Sequence, residues 1–222
     1  MKTAVKSICK NILTFFNLYA PAKKTLIFFG IYAPLMHMVN AEIKRKIHKK
    51  KEVPVLYYKK RFGCNVFVET GTYQGEMIDA MKRRFKKIYT IELGDVLYEK
   101  ARERFINEKH VTIEHGDSGL ILPGILAQIT EPAIFWLDAH WSDGDTARGA
   151  HDTPIEQELD AIFAHSIKNH IILIDDARDF IGRNGYPAAD VLEKKARAKN
   201  YAWVRRGDIF ALYPASLHPE LA

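Results

Sequence analysis

The chain has 222 residues, of which 47% are hydrophobic and 27% are charged. This length and composition allow one domain with a substantial core plus an extension, and they exclude a disordered or fibrous protein. The two cysteines, Cys9 and Cys64, are far apart and lack metal-type spacing, so neither a disulfide framework nor a cysteine zinc site is expected. A reducing compartment, the cytoplasm, fits this cysteine usage best.

Charge is distributed unevenly along the chain. Residues 1–61 contain 14 lysines and arginines against two acids, a net charge of +12, whereas residues 62–222 contain 19 against 25, a net charge of −6. This asymmetry predicts a basic, helical N-terminal arm over residues 1–61 and a separate domain over residues 62–222. Such an arm is typical of contact with an anionic membrane surface, nucleic acid or an acidic polymer, and an ordinary solvated helix face is the alternative.

The arm contains an apolar segment, residues 25–39, which is interrupted by Gly30, Pro34 and His37. This segment is shorter than the roughly 20 apolar residues that a membrane-spanning helix needs. The residues before it resemble a secretion signal only faintly, because polar side chains dilute their apolar stretch. We therefore expect the arm either to make peripheral contact with a membrane or to pack against the domain.

From residue 66 onward, short apolar runs alternate with helical periodicity, which is typical of βαβ units. The first five strands are predicted at residues 66–68, 88–91, 111–113, 133–137 and 171–174, and a terminal hairpin at residues 203–205 and 209–212. The pattern predicts a doubly wound, mostly parallel α/β sheet of about seven strands that ends in an antiparallel hairpin.

The first predicted strand leads into a glycine-containing loop, Glu69-Thr70-Gly71-Thr72-Tyr73-Gln74-Gly75, and then into a helix. Glycines allow a tight turn and close approach of the backbone to a ligand, and the helix N-terminus favours an anionic group. Two glycines do not make the GxGxxG pattern of dinucleotide-binding loops, which argues against NAD. A purely structural turn is the alternative for this loop.

Two acids follow the next two strands. Glu92 ends the second strand, 21 residues after Gly71, which is the separation at which an acid commonly binds the two hydroxyls of an adenosine ribose. Asp117, between Gly116 and Ser118, follows the third strand and could accept a hydrogen bond from an adenine amino group. Each acid alone would suit a solvated strand end.

Together these features resemble the class I S-adenosylmethionine-dependent methyltransferases, which have a Rossmann-like fold. The resemblance covers roughly residues 65–179. Tyr73 stands where many members have a second glycine, which is closer to the small-molecule O-methyltransferase branches. The resemblance implies S-adenosylmethionine as cofactor, bound by Glu69, Gly71, Thr72, Gly75, Glu92, Asp117 and Ser118.

The ends of the fourth and fifth strands are also acidic. The segments Asp138-Ala139-His140 and Asp175-Asp176 resemble those of O-methyltransferases that hold a divalent cation beside the acceptor hydroxyl. The resemblance implies Mg²⁺ ligands at Asp138, Asp175 and Asp176 and catalytic roles for Asp138 and His140. The alternative is that these acids only cap loops, although clustered acids repel unless a cation or a proton is shared among them.

The resemblance implies O-methylation of a hydroxyl group on a small molecule or a sugar. A non-catalytic Rossmann-like binding module, attached to a membrane or an assembly through the arm, is the alternative. A nucleic-acid methyltransferase is disfavoured, because the sequence has neither an Asn-Pro-Pro-Tyr-type motif nor the cysteine nucleophile of base-modifying families. Nucleic acid is therefore not the expected partner.

Overall fold

A computed structural model of the protein describes residues 51–138, 153–183 and 185–217. Contacts divide the chain into two units, Met1–Lys50 and Lys51–Ala222, and all of the described residues belong to the second unit. Most of the predicted arm therefore lies outside the described residues. Within the part that the structure describes, no helix has the length and apolar character needed to cross a bilayer.

The described unit alternates strands and helices along its length. Its strands are β1 (Val66–Thr70), β2 (Lys87–Glu92), β3 (Val111–His115), β4 (Ala133–Leu137), β5 (Ile171–Ile174), β6 (Tyr201–Arg206) and β7 (Ile209–Pro214). Its helices are α1 (51–62), α2 (Glu76–Met81), α3 (Asp95–Arg104), α4 (Ser118–Leu126), α5 (Ile155–Ala164) and α6 (Ala189–Ala198). The seven predicted strands are all present, and a helix follows each of the first five.

The seven strands form one sheet in the order β3-β2-β1-β4-β5-β7-β6. Strands β1 to β5 pair in parallel, whereas β7 lies antiparallel between β5 and β6. The predicted Rossmann-like architecture and the terminal antiparallel hairpin are thus confirmed. The strand order reverses between β1 and β4, and ligands bind doubly wound sheets at the carboxyl edge beside such a reversal.

Side chains of the central strands alternate between two apolar clusters, because successive residues of a strand point to opposite faces of the sheet. Phe67 and Trp136 pack with α1 and α2 on one face, and Val68 and Phe135 pack with α4, α5 and α6 on the other. Strands β1 and β4 are buried along their whole length. Two-sided cover of this kind explains why these strands read as continuous apolar runs.

Helix α1 packs on the sheet although it lies at the end of the predicted basic arm. Val55 and Tyr58 are buried, and the Tyr58 ring lies 5.9 Å from the Tyr213 ring of β7 between centroids. By its contacts α1 belongs to the α/β unit, so that unit begins at Lys51, before the boundary that charge alone predicted after Arg61.

A histidine joins the starting ends of two central strands. His170, which precedes β5, is fully buried, and its Nδ1 accepts a hydrogen bond of 3.1 Å from the backbone N–H of Ala133 at the start of β4. Its Nε2 lies 2.8 Å from Nδ1 of His165. Burial lowers the pKa of His170 to about 4, with a smaller contribution from His165, so the ring is neutral at physiological pH.

The His170 geometry predicts a loss of stability in mild acid. In the unfolded chain His170 takes up a proton below about pH 6.5, whereas in the folded protein it stays neutral until about pH 4, so stability falls as pH falls through this window. Between pH 7 and pH 5 this residue should account for a loss of about 2 kcal/mol in the free energy of unfolding. The free energy of unfolding in urea, measured at pH 7 and at pH 5, tests this expectation.

The variant His170→Gln should lack this pH-dependent loss, because glutamine keeps an acceptor but does not titrate. His115→Gln is the matched control, since His115 is exposed on the sheet edge, and it should behave as the wild type does. Equal acid sensitivity in His170→Gln and the wild type would show that other groups cause the loss.

Candidate active site

The predicted site residues lie at one edge of the sheet. Because β1 to β5 are parallel, their carboxyl ends meet at the same edge, where Glu69, Glu92, Asp117, Asp138 and Asp175 end or follow successive strands. Asp138 donates its backbone N–H to the Thr70 carbonyl, with a distance of 3.1 Å, which aligns the ends of β4 and β1. His140, the other predicted catalytic residue, lies outside the described residues.

The glycine loop takes a conformation that explains its composition. Gly71 and Gly75 have φ angles of 84° and 77°, in the left-handed region that glycine adopts without steric cost. A Cβ on Gly75 would lie 2.6 Å from Cε2 of Phe105, so a larger residue would collide with the end of α3. Tyr73 is also left-handed, with φ of 49°, a conformation that is uncommon for residues other than glycine.

Glu92 connects the glycine loop to the end of β2 through hydrogen bonds. Its Oε2 accepts the backbone N–H of Tyr73 at 2.7 Å, and its Oε1 accepts the backbone N–H of Gly94 at 2.9 Å. The residue is only 5% exposed. A carboxylate has about four acceptor positions, so both oxygens can still accept hydrogen bonds from a ligand's hydroxyl groups.

Glu69 is buried beside Glu92 in a network of hydroxyl groups. Thr90 Oγ1 donates to Glu69 Oε2 at 2.9 Å, and Thr72 Oγ1 lies 2.5 Å from Thr90 Oγ1. Burial raises the pKa of Glu69 well above its usual range, although the Thr90 hydrogen bond lowers it, and the nearby carboxylates of Asp138 and Glu92 raise it further. The net effect favours the protonated form of Glu69 over its carboxylate.

Asp117 and Ser118 stand at the start of α4. Asp117 caps this helix, and its Oδ1 accepts the backbone N–H of Gly119 at 2.9 Å. The Ser118 hydroxyl donates at 2.6 Å to Oε1 of Glu158, a buried residue of α5. Ser118 therefore joins two helices, while Asp117 remains at the carboxyl edge.

The three acids predicted to bind a metal do come together. Carboxylate oxygens of Asp138, Asp175 and Asp176 lie within 4.8 Å of one another, and these residues are called the acidic cluster below. Asp175 is almost fully buried, and its backbone N–H donates to the Leu137 carbonyl at 3.1 Å. The indole N–H of Trp136 donates to Asp138 Oδ2 at 3.4 Å.

Lys51 of α1 reaches the acidic cluster and was not among the residues that the sequence indicated. Its Nζ donates to Asp138 Oδ2 at 3.1 Å and contacts Oδ2 of Asp175. The third acid, Asp176, accepts a hydrogen bond of 2.6 Å from Nη2 of Arg178. Lys51 is one of many lysines in a basic stretch, so no local signal distinguishes it from its neighbours.

Charges in the cluster alter one another's ionisation. Burial raises the pKa of Asp175 to about 7, the Asp138 carboxylate adds to this effect, and Lys51 opposes it. Burial lowers the pKa of Lys51, but the carboxylates of Asp138 and Asp175 outweigh that effect and raise it overall. Lys51 is therefore a charged ammonium group at every physiological pH.

The arrangement with Lys51 does not suit a magnesium ion held by both Asp138 and Asp175. Mg²⁺ requires oxygen ligands at about 2.0–2.1 Å in near-octahedral geometry. The Oδ2 atoms of Asp138 and Asp175 are in contact with the Lys51 ammonium. An ion and the ammonium would therefore compete for the same two carboxylates.

Solved methyltransferase structures are similar to this fold. The methyltransferase domain of bacterial CtHen1 matches with a TM-score of 0.53 and 10% identity, over 75% of this chain and 98% of that one. The Podospora anserina methyltransferase PaMTH1, solved with S-adenosylhomocysteine, matches with a TM-score of 0.50 and 17% identity, over 71% and 74%. The chain thus has the fold of class I S-adenosylmethionine-dependent methyltransferases.

A third similar structure is MycE, a methyltransferase from the mycinamycin biosynthetic pathway solved with Mg, S-adenosylhomocysteine and mycinamycin VI. It matches with a TM-score of 0.51 and 14% identity over 71% of this chain, and the chain spans about half the length of MycE, 47%. No protein-family model matches the sequence, and no curated protein sequence matches it.

The raised pKa of Glu69 predicts a pH-dependent difference in stability between the wild type and Glu69→Gln. In the unfolded chain Glu69 loses its proton at about pH 4.3, whereas burial raises its pKa in the folded protein. The stability that Glu69 contributes therefore falls as pH rises above that value. Glutamine does not titrate. As pH rises, Glu69→Gln should therefore become more stable relative to the wild type, by up to about 1.4 kcal/mol in the free energy of unfolding per pH unit.

Urea unfolding at pH 5 and pH 8 tests this expectation. Glu99→Gln is the control, because Glu99 is an exposed residue of α3 whose charge should not change the pH dependence. A constant difference in the free energy of unfolding between Glu69→Gln and the wild type at both pH values would mean that Glu69 is ionised in the folded protein.

Proposed function

We propose that this chain is an S-adenosylmethionine-dependent methyltransferase that acts on a hydroxyl group of a small molecule or a sugar. The observation that carries the proposal is the buried Glu92 carboxylate, which ends β2 and is held against the glycine loop by backbone N–H groups. A positioned acceptor pair of this kind suits vicinal ribose hydroxyls. The similar structures are methyltransferases, so they give no support to a non-catalytic binding module.

The cofactor half of the site would be formed by the first three strand ends. The assigned residues are Glu69, Gly71, Thr72, Gly75, Glu92, Asp117 and Ser118. When bound, S-adenosylmethionine supplies the methyl group from its sulfonium. Glu92 would accept the ribose hydroxyls, and Asp117 would accept a hydrogen bond from the adenine amino group. Ser118 would support this half indirectly, through its hydrogen bond to Glu158.

The acceptor half would be formed by the ends of β4 and β5. Methyl transfer is an in-line displacement, so the protein has to position the acceptor oxygen and receive its proton. Asp138, whose side chain is 20% exposed, is fixed by Lys51 and Trp136 and offers a carboxylate at this edge. His140 remains the second predicted base.

The magnesium prediction stays a prediction. It is supported by the convergence of Asp138, Asp175 and Asp176 and by the Mg present in the MycE structure. It is opposed by the contacts of Lys51 with two of the three acids. No step of the proposed transfer depends on a metal ion, because Asp138 can act on the acceptor hydroxyl directly.

Calorimetry tests the cofactor assignment. The wild type should bind S-adenosylmethionine and S-adenosylhomocysteine, and Glu92→Ala should weaken both by more than about tenfold, because the ribose hydroxyls lose a charge-assisted acceptor and the glycine loop loses its fastening. Glu99→Ala, at an exposed site, is the control. Asp138→Asn should leave the affinity nearly unchanged, since Asp138 belongs to the acceptor half. The proposal would be refuted if the wild type bound NAD but bound neither S-adenosylmethionine nor S-adenosylhomocysteine.

We further propose that the part of the basic arm before Lys51, residues 1–50, brings the protein to the cytoplasmic face of a membrane. The support is its net charge of +9, from ten lysines and arginines against one acid, beside an aromatic-rich apolar segment, a combination that favours anionic lipid surfaces. The full-length protein should sediment with vesicles that contain anionic lipid and not with neutral ones, and added salt should release it. Equal sedimentation with anionic and neutral vesicles would contradict the proposed electrostatic attachment.

A further inference from the structure

Lys51 contacts the acidic cluster at a place where two strand ends and one helix meet. Its ammonium donates to Asp138 at the end of β4 and contacts Asp175 at the end of β5. The residues are far apart in sequence, since 87 positions separate Lys51 from Asp138. Their side chains are largely shielded from water, with 24% of Lys51, 20% of Asp138 and 3% of Asp175 exposed. The contact is therefore a partly buried ion pair rather than a surface one.

A buried carboxylate pair is stable only when a positive charge or a proton is shared between its members. Asp175 is the most buried acid of the cluster, and the Oδ2 atoms of both Asp175 and Asp138 face the ammonium. Asp176 is paired separately with Arg178, which also contacts Asp179 and Asp208. Each acid of the cluster is thus in contact with a side-chain cation of the same chain.

We propose that the Lys51 ammonium is the resident cation of the acidic cluster and holds the place that a divalent metal ion would otherwise take. The ammonium is a compact charge with three N–H donors, so it can neutralise two carboxylates and orient them without a metal's coordination geometry. Lys51 would act as a positioning residue for Asp138. The proposal concerns the occupant of the cluster and stands whether or not the chain transfers methyl groups.

This assignment has a chemical consequence for metal binding. Carboxylate sites that suit Mg²⁺ also bind Mn²⁺, which can be detected directly by electron paramagnetic resonance. A metal ion would have to displace Lys51 from Asp138 and Asp175, and the displaced ammonium would then lie beside a divalent cation in a poorly solvated site. Like charges in such a site repel strongly. The wild-type protein should therefore bind Mn²⁺ no better than its exposed acids do.

The test is Mn²⁺ titration of the full-length protein and of Lys51→Met, which keeps the length and apolar stem of the side chain but removes its charge. Lys51→Met should bind one Mn²⁺ at least about tenfold more tightly than the wild type, because the ammonium no longer competes with the ion for Asp138 and Asp175. Lys51→Met combined with Asp175→Asn should lose that gain. Lys51→Arg, which keeps the cation, should behave as the wild type does.

Lys59→Met is the matched control, because Lys59 lies in the same helix but donates to the Cys64 carbonyl. It should leave Mn²⁺ binding unchanged. Circular dichroism establishes that each variant is folded, and if Lys51→Met does not fold, the wild-type titration still decides. Tight binding of Mn²⁺ by the wild type that is lost in Asp175→Asn would overturn the proposal, as would a folded Lys51→Met with no gain in affinity.

Discussion

The parallel pairing of β1 with both β2 and β4 is the constraint on which the rest of the structure depends. It places the carboxyl ends of these strands at one edge, on either side of the position where the strand order reverses. Both β1 and β4 are buried throughout, so the hydrophobic effect fixes their register. A slip of one residue would turn Glu69 and Asp138 away from the site, which means that the core determines the position of the polar groups.

The sheet was predictable because its strands are short apolar runs bounded by polar residues. The predicted end of β1 was slightly too early, because Glu69 and Thr70 continue the strand although their side chains are polar. Polar residues at strand ends carry no hydrophobic signal, even when, as here, they are buried. The polarity that makes a strand-end residue a site candidate thus also causes a strand prediction to exclude it.

Helix α1 and Lys51 show what the sequence could not reveal. Val55 and Tyr58 are core residues, but they lie in a stretch dominated by lysine, and the charge pattern assigned them to the arm. The acids of the cluster could be grouped because each follows a strand of a parallel sheet. The cation that meets them comes from outside the repeating βα pattern, so no spacing rule connects it to Asp138. Tertiary packing alone supplies this contact.

The direction of the hydroxyl network depends on the protonation of Glu69. When Glu69 is ionised, Thr90 donates its single hydroxyl hydrogen to Glu69, and the short contact between Thr90 and Thr72 uses the hydrogen of Thr72. The Thr72 oxygen then presents only lone pairs, which suit an ammonium or an amide N–H. When Glu69 is protonated, its own O–H can donate to Thr90, Thr90 can donate to Thr72, and the Thr72 hydrogen becomes available to an acceptor such as a carboxylate oxygen. Proton uptake by a buried acid thus reverses the polarity that this point of the loop presents.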